Sequence, residues 1–328
     1  MTTVPPMARF SPDPALSARL RHIADAVSLK LRGKPEAVRV ALVCLLARGH
    51  LLIEDVPGVG KTTLAQAIAG AVDGSFHRLQ FTSDLLPSDV LGVTVFSSHT
   101  EQFEFKPGPV FANFLLADEI NRSTPKTQSA LLEAMNESQV TVEGQTLPLP
   151  DPFMVIATQN PSDHHGTYPL PESQLDRFLV RLRIGYPDVA SEREVIRQPE
   201  ARHAQHLGPA VSREELLALQ EAVTQVTVED SVIDYMLAIV ERTRQSDAIS
   251  LGVSPRGSQA LYRAAQANAL LEERGFVLPD DVKFLAPKVF GHRILPSTRG
   301  LASRRNASDS AAGERLIEEI LTQVDVPL

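Results

Sequence analysis

The stretch HLLIEDVPGVGKTTLAQAIAG, residues 50–70, decides the fold. It opens with a short continuous apolar run, turns through two glycines and continues with apolar residues at helical spacing. An uninterrupted rather than alternating apolar run marks a strand buried on both faces, as in a parallel sheet covered by helices. In the turn, Gly58 and Gly60 let backbone N–H groups face phosphate oxygens, Lys61 can reach β- and γ-phosphates, and Thr62 offers a hydroxyl to magnesium. The following helix aims the positive end of its dipole at the same place. Gly58, Val59, Gly60, Lys61, Thr62 and Thr63 are therefore the candidate nucleotide-binding run. The strict form of such a loop begins with glycine, and Asp55 stands there instead.

Two more continuous apolar runs follow, NFLLAD at 113–118 and FMVIAT at 153–158. In an open α/β sheet the carboxyl ends of strands line the ligand crevice, so the residues closing these runs are expected beside the loop. Asp118 is placed to hold the magnesium bound by Thr62, and Glu119 to polarise an attacking water. Adjacent side chains leave a strand end in different directions, which suits two roles. Asn160, in ATQNP, would bring a neutral amide near the γ-phosphate or the water. Arg177 in QLDRF and Arg256 in SPRGS are candidates for stabilising transferred phosphoryl charge. ATP is favoured over GTP because no NKxD-type base-specificity motif is present, and Mg2+ is the expected metal.

At 328 residues the chain has room for a large and a smaller domain. Residues 1–14 read as a flexible lead, 15–190 as an ATPase core, 191–208 as a linker and 209–328 as a helical lid. The lid assignment rests on amphipathic segments such as SREELLALQEAVTQV, SPRGSQALYRAAQANALLEE and PDDVKFLAPKVF, with Ser, Glu or Pro near their starts. The small polar segment 303–313 is expected to be mobile. The longest apolar stretch, 41–47, is far shorter than the roughly 20 residues a bilayer requires, so no membrane insertion is expected and cytoplasm is the default location. The lone Cys44 excludes an internal disulfide and reads as a buried helix residue. His164 and His165 point apart on a loop and read as solvated rather than as metal ligands.

Six blocks together resemble the MoxR family of AAA+ ATPases: GHLLIEDVPGVGKTTLAQAIA at 49–69, PGPVFANFLLADEINRSTPKTQSALLEAM at 107–135, VIATQNP at 155–161, GTYPLPESQLDRF at 166–178, GVSPRGSQALYRAAQA at 252–267 and LPDDVKFLAP at 278–287. The resemblance runs from about residue 15 to the C-terminus. It implies an α/β P-loop AAA+ core, its parallel sheet flanked by helices, plus a smaller all-helical lid. By it, Lys61 and Thr62 belong to Walker A, Asp118 and Glu119 to Walker B, Asn160 is sensor 1, Arg177 an arginine finger acting across a subunit interface, and Arg256 sensor 2. It further implies self-assembly into a ring, a hexamer being expected, and a protein client with a von Willebrand A-type domain. In LRGKPE at 31–36 the chain departs from the family, with Lys34 where Gln is usual on the adenine side.

A small-molecule kinase fits the Asp-Glu pair and the helical lid less well. A DNA-translocating motor needs basic surface loops, yet the two inserts at 93–108 and 139–151 hold three Glu and one Asp against one Lys. With a net charge of -8, nucleic acid is disfavoured as a partner. Both inserts alternate polar and apolar residues around a turn and read as protein-facing hairpins. A magnesium-chelatase-type motor subunit shares the motif order and stands as the alternative, with cobalt or magnesium insertion as its task.

Overall fold

Along the three apolar runs, successive side chains enter opposite cores. Leu51 and Ile53 join one cluster and Leu52 the other; Phe114 and Leu116 alternate in the same way with Leu115 and Ala117, and Met154 and Ile156 with Val155 and Ala157. This period of two is what a strand buried on both faces requires. The computed structural model describes residues 10–161, 166–197, 208–297 and 309–327. The runs form β1 (Leu51–Glu54), β5 (Phe114–Asp118) and β8 (Met154–Gln159), the centre of a five-stranded parallel sheet of order β2-β5-β8-β1-β9. The edge strands β2 (Phe76–Gln80) and β9 (Val180–Leu182) escape the sequence reading. The first is largely exposed and broken by His77 and Arg78; the second is three residues long.

Helices α1 (Pro14–Lys30) and α2 (Pro35–Leu46) precede the sheet, and α3 (Lys61–Ala71) follows the phosphate-type loop. The inserts are hairpins as expected. After α4 (Pro87–Leu91), strands β3 (Gly92–Ser97) and β4 (Gln102–Pro107) pair antiparallel. After α5 (Pro125–Glu137), β6 (Gln139–Val142) pairs with β7 (Gln145–Pro148). Short α6 (Glu172–Leu175) leads to β9.

Beyond the sheet, α7 (Val189–Arg197) runs through the expected core–linker boundary, so residues 191–197 are helical rather than a linker; 198–207 lie outside the described residues. The lid contains α8 (Arg213–Thr224), α9 (Asp230–Gln245), α10 (Pro255–Leu271), α11 (Pro279–Phe290) and α12 (Asp309–Leu321). Ser212 caps α8 with a reciprocal box to Glu215, and Ser254 caps α10 by accepting from the Gly257 N–H. A short ribbon of β10 (Ile249–Leu251) and β11 (Leu295–Pro296) departs from an all-helical lid. The described part of the 303–313 segment is not a loose tract: α12 starts at Asp309, Ala311 and Ala312 are buried, and a Cβ on Gly313 would lie 1.9 Å from the Gly291 carbonyl oxygen. Small residues here permit close helix contact. Leu42, Leu45 and Leu46 of α2 share one continuous core with Leu216, Leu219, Leu261 and Ala265 of the lid, which joins the two units.

Candidate nucleotide site

The chain leaves β1 into Asp55, and the structure explains this departure from glycine. One Asp55 carboxylate oxygen accepts from the N–H groups of Ile184 (2.8 Å) and Gly185 (2.6 Å), the other from Val56 (2.8 Å). Asp55 thus ties the base of the loop to the segment after β9. Gly58 and Gly60 both take positive φ, +86° and +102°, where a side chain is strained. A Cβ at Gly58 would meet nothing within 4 Å, so the crest is open to a ligand. Lys61 opens α3 and donates from Nζ to the carbonyls of Asp55 and Gln159. No side chain caps α3, and Thr62 and Thr63 lie in its first turn.

Two strands away, Asp118 ends β5 at a polar junction. Its carboxylate accepts from Thr158 Oγ1 at 2.6 Å and from Arg78 at 2.6 and 3.1 Å. Glu119 adopts φ 56°, ψ 49°, a left-handed conformation that costs energy for a residue with a side chain. Its N–H donates to Thr158 Oγ1 at 2.9 Å, and its carboxylate accepts from Gln80 at 2.7 Å and pairs with Arg122 at 3.1 Å. The two carboxylates take different partners, Asp118 on Thr158 and Arg78, Glu119 on Gln80 and Arg122. Asn160, buried, follows β8 between the ends of β5 and β1. The loop residues, Asp118, Glu119 and Asn160 therefore share one edge of the sheet.

Arg78, Gln80 and Thr158 complete this edge without a sequence signal. The first two lie on a strand the apolar pattern does not reveal, and the third looks like any buried β-branched strand residue.

Arg177 and Arg256 are not on that edge. Arg177 precedes β9 and donates to the Leu132 carbonyl; Arg256, in the first turn of α10, donates to Asn136 Oδ1 at 2.6 Å. Both face a cleft of about 630 Å³ between core and lid, with Arg48, Arg263 and Arg293. Its wall includes His50 and Met154, at the starts of β1 and β8. Four-residue β1 alone sets it apart from the loop by about 13 Å. His50 is locked here, accepting the Val155 N–H at Nδ1 (3.0 Å) with Nε2 3.0 Å from the Met135 carbonyl. Burial lowers its pKa to about 4. Cys44 is buried, and burial pushes its thiol up, so it is no nucleophile.

Near the loop, Lys34 donates to the Tyr186 carbonyl, and a Cβ on Gly33 would lie 2.1 Å from Ser191 Oγ. The 31–36 segment thus packs against the start of α7, with the Lys34 ammonium held by main chain. His164 and His165 lie outside the described residues. Among those described, no helix is long and apolar enough to cross a membrane.

A parallel sheet with a glycine loop at one strand end, an acidic pair two strands away and a helical lid defines a P-loop ATPase of the AAA+ class. The family described as "ATPase family associated with various cellular activities (AAA)" matches residues 50–180, and "AAA lid domain" matches 241–319. The chain is 47% identical over 318 residues to the uncharacterized protein YeaC of Bacillus subtilis, covering 96% of each. It is 41% identical to Chaperone MoxR1 of Mycobacterium tuberculosis, over 90% of this chain and 79% of that protein. A solved structure of a candidate ATPase from Cytophaga hutchinsonii superimposes with a TM-score of 0.86 at 37% identity, covering 96% of both chains. The chain belongs to the MoxR family of AAA+ ATPases.

Proposed function

We propose that this chain hydrolyses ATP with Mg2+ as a subunit of a head-to-tail ring, expected to be a hexamer, and uses the cycle to remodel a client protein. One observation carries the reading: the phosphate loop and its acidic partners occupy one edge of the sheet, while Arg177 and Arg256 face a cleft at the other. A chain so divided completes a site by setting its loop edge against the arginine cleft of the next copy, a heterologous contact that closes into a ring.

The residues fit the nucleotide and its metal. The crest at Gly58 is open, the carbonyl partners of Lys61 are ones that phosphate oxygens can replace, and Thr62 and Asp118 supply the oxygen donors magnesium prefers. Bound magnesium would supply charge neutralisation across the phosphates. Lys61 and the loop N–H groups orient the phosphates, Glu119 polarises the attacking water, Asn160 holds it in line, and the neighbour's Arg177 and Arg256 stabilise charge as the phosphoryl group transfers. Core through about residue 190 and lid from about 209 are the parts that close and open across the interface.

The output is mechanical. On the β3–β4 hairpin Phe96 and Phe103 are paired on one face and Val93 and Val95 lie on the other, all exposed, apolar surface suited to a protein rather than to phosphates. The MoxR relationship supports a client with a von Willebrand A-type domain, with a magnesium-chelatase-type role as the alternative.

Mixing tests the shared site. Arg177→Ala chains and Lys61→Ala chains, each inactive alone, should recover part of the hydrolysis when co-assembled, because one interface then pairs an intact loop with intact arginines. Demonstrated co-assembly without recovery would refute it.

A further inference from the structure

Behind the two cleft arginines lies a buried polar node. Arg293 follows α11, with 3% of its side chain exposed, and reaches from the lid into the turn leading to β9. Its Nε donates to Asp176 Oδ1 at 2.7 Å, and its Nη groups donate to the carbonyls of Phe178 (2.6 Å), Leu179 (3.0 Å) and Asp176 (3.2 Å). A ring nitrogen of His292 lies 3.0 Å from the same Phe178 carbonyl. These contacts grip the main chain on both sides of Arg177. The other Asp176 oxygen is 3.4 Å from the hydroxyl of Ser254, the residue that caps α10 and so sets the direction of its first turn, where Arg256 sits.

Gly257, next in sequence, makes room: a Cβ there would lie 3.1 Å from Arg293 Cδ and 2.6 Å from Val253 Cγ1. Arg177 and Arg256 then rest one helical turn apart on α5, at Leu132 and Asn136. Burial lowers the Arg293 pKa to about 10, and Asp176 opposes that fall, so Arg293 is charged at neutral pH.

We propose that Asp176 and Arg293 are positioning residues that hold Arg177 and Arg256 as one unit, so that docking of the lid presents both arginines together to the phosphate loop of the neighbouring copy. The proposal rests on the shared-site reading above. A buried ion pair contributes little net stability compared with apolar packing. Its directional bonds nevertheless specify one arrangement of the two segments they join. Neither residue touches the phosphates; each acts through the arginine beside it.

The test uses full-length Arg293→Lys and Asp176→Asn, the second retaining a side-chain oxygen that accepts from Arg293 should the first not fold. ATP binding to each variant is expected to match wild type, while hydrolysis falls by roughly tenfold to a hundredfold, the effect of displacing a catalytic group by about 1 Å. Mixed with Lys61→Ala chains, which supply intact arginines, the variants should regain activity; mixed with Arg177→Ala chains they should not. In nucleotide-free protein, amide hydrogen exchange should quicken together at 176–179 and 254–257 and stay unchanged at 58–64. Wild-type hydrolysis by both variants overturns the proposal. So does failure to recover with Lys61→Ala under conditions where Arg177→Ala recovers with it, since the defect then lies in the variant's own loop or fold. Should the Arg177→Ala and Lys61→Ala pair itself not recover, the shared-site reading falls, and the exchange pattern alone decides whether the node joins the two segments.

Discussion

Single residues at the loop edge divide binding from chemistry. Lys61 brings a cation to the loop, so Lys61→Ala should weaken ATP binding by on the order of a hundredfold, the loss of a charged hydrogen-bonding partner. Glu119→Gln keeps size and polarity but cannot polarise water; it should bind ATP normally and hydrolyse it about a hundredfold or more slowly. Equilibrium binding beside phosphate release separates the two. At the other edge, His50 is held neutral between Val155 and Met135, its pKa lowered from 6.5 to about 4 by burial. The unfolded chain takes up this proton first as pH falls. The stability His50 contributes is therefore complete above about pH 6.5 and is lost as pH drops toward 4, by about 3 kcal/mol. His50→Gln should flatten that part of the acid limb in denaturant unfolding followed across this pH range, and an unchanged limb would show that other groups set it.

Among the elements, the β3–β4 hairpin carries an exposed aromatic pair. Phe96 and Phe103 pack edge to face, with centroids 5.4 Å apart, yet remain 54% and 75% exposed. Changing both to Ser should lower stability by only about 1 kcal/mol, the worth of an exposed cross-strand aromatic pair. ATP binding and assembly should persist while client remodelling is lost. Client maturation at the wild-type level in that double variant would remove the hairpin from the output path. Helix-level signals elsewhere were legible: Ser212 and Ser254 precede their helices as caps, and Gly60 precedes α3 in a left-handed turn. The edge strands were not, because β2 is mostly exposed and β9 is too short to carry a period.

For the whole molecule, the proposed division of the site between two edges would make hydrolysis a property of the assembly. Turnover per chain should fall on dilution through the assembly range, whereas ATP binding per chain should not, since the loop edge belongs to one copy. Parallel sedimentation and hydrolysis series would show the two curves falling together. Turnover independent of concentration after dissociation would mean that one chain is sufficient. The same series with single-stranded DNA separates a protein-directed motor from a nucleic-acid one: the chain carries a net charge of -8, and stimulation by DNA would favour the second.

The sequence by itself determined the central sheet, the loop, the acidic pair and the helical character of the second unit. Those features are written in local chemistry: continuous apolar runs, glycines where φ turns positive, and polar residues at the ends of runs. It also contained Arg177 and Arg256, but not their place. Only the tertiary structure decided that they stand at the edge opposite the loop, that Asp55 replaces glycine in order to bind the Ile184 and Gly185 N–H groups, and that Asp176 and Arg293, 117 residues apart, meet behind the cleft. Contacts at such separations are set by how strands order themselves in the sheet and how the lid docks on α2. No local period or motif records either.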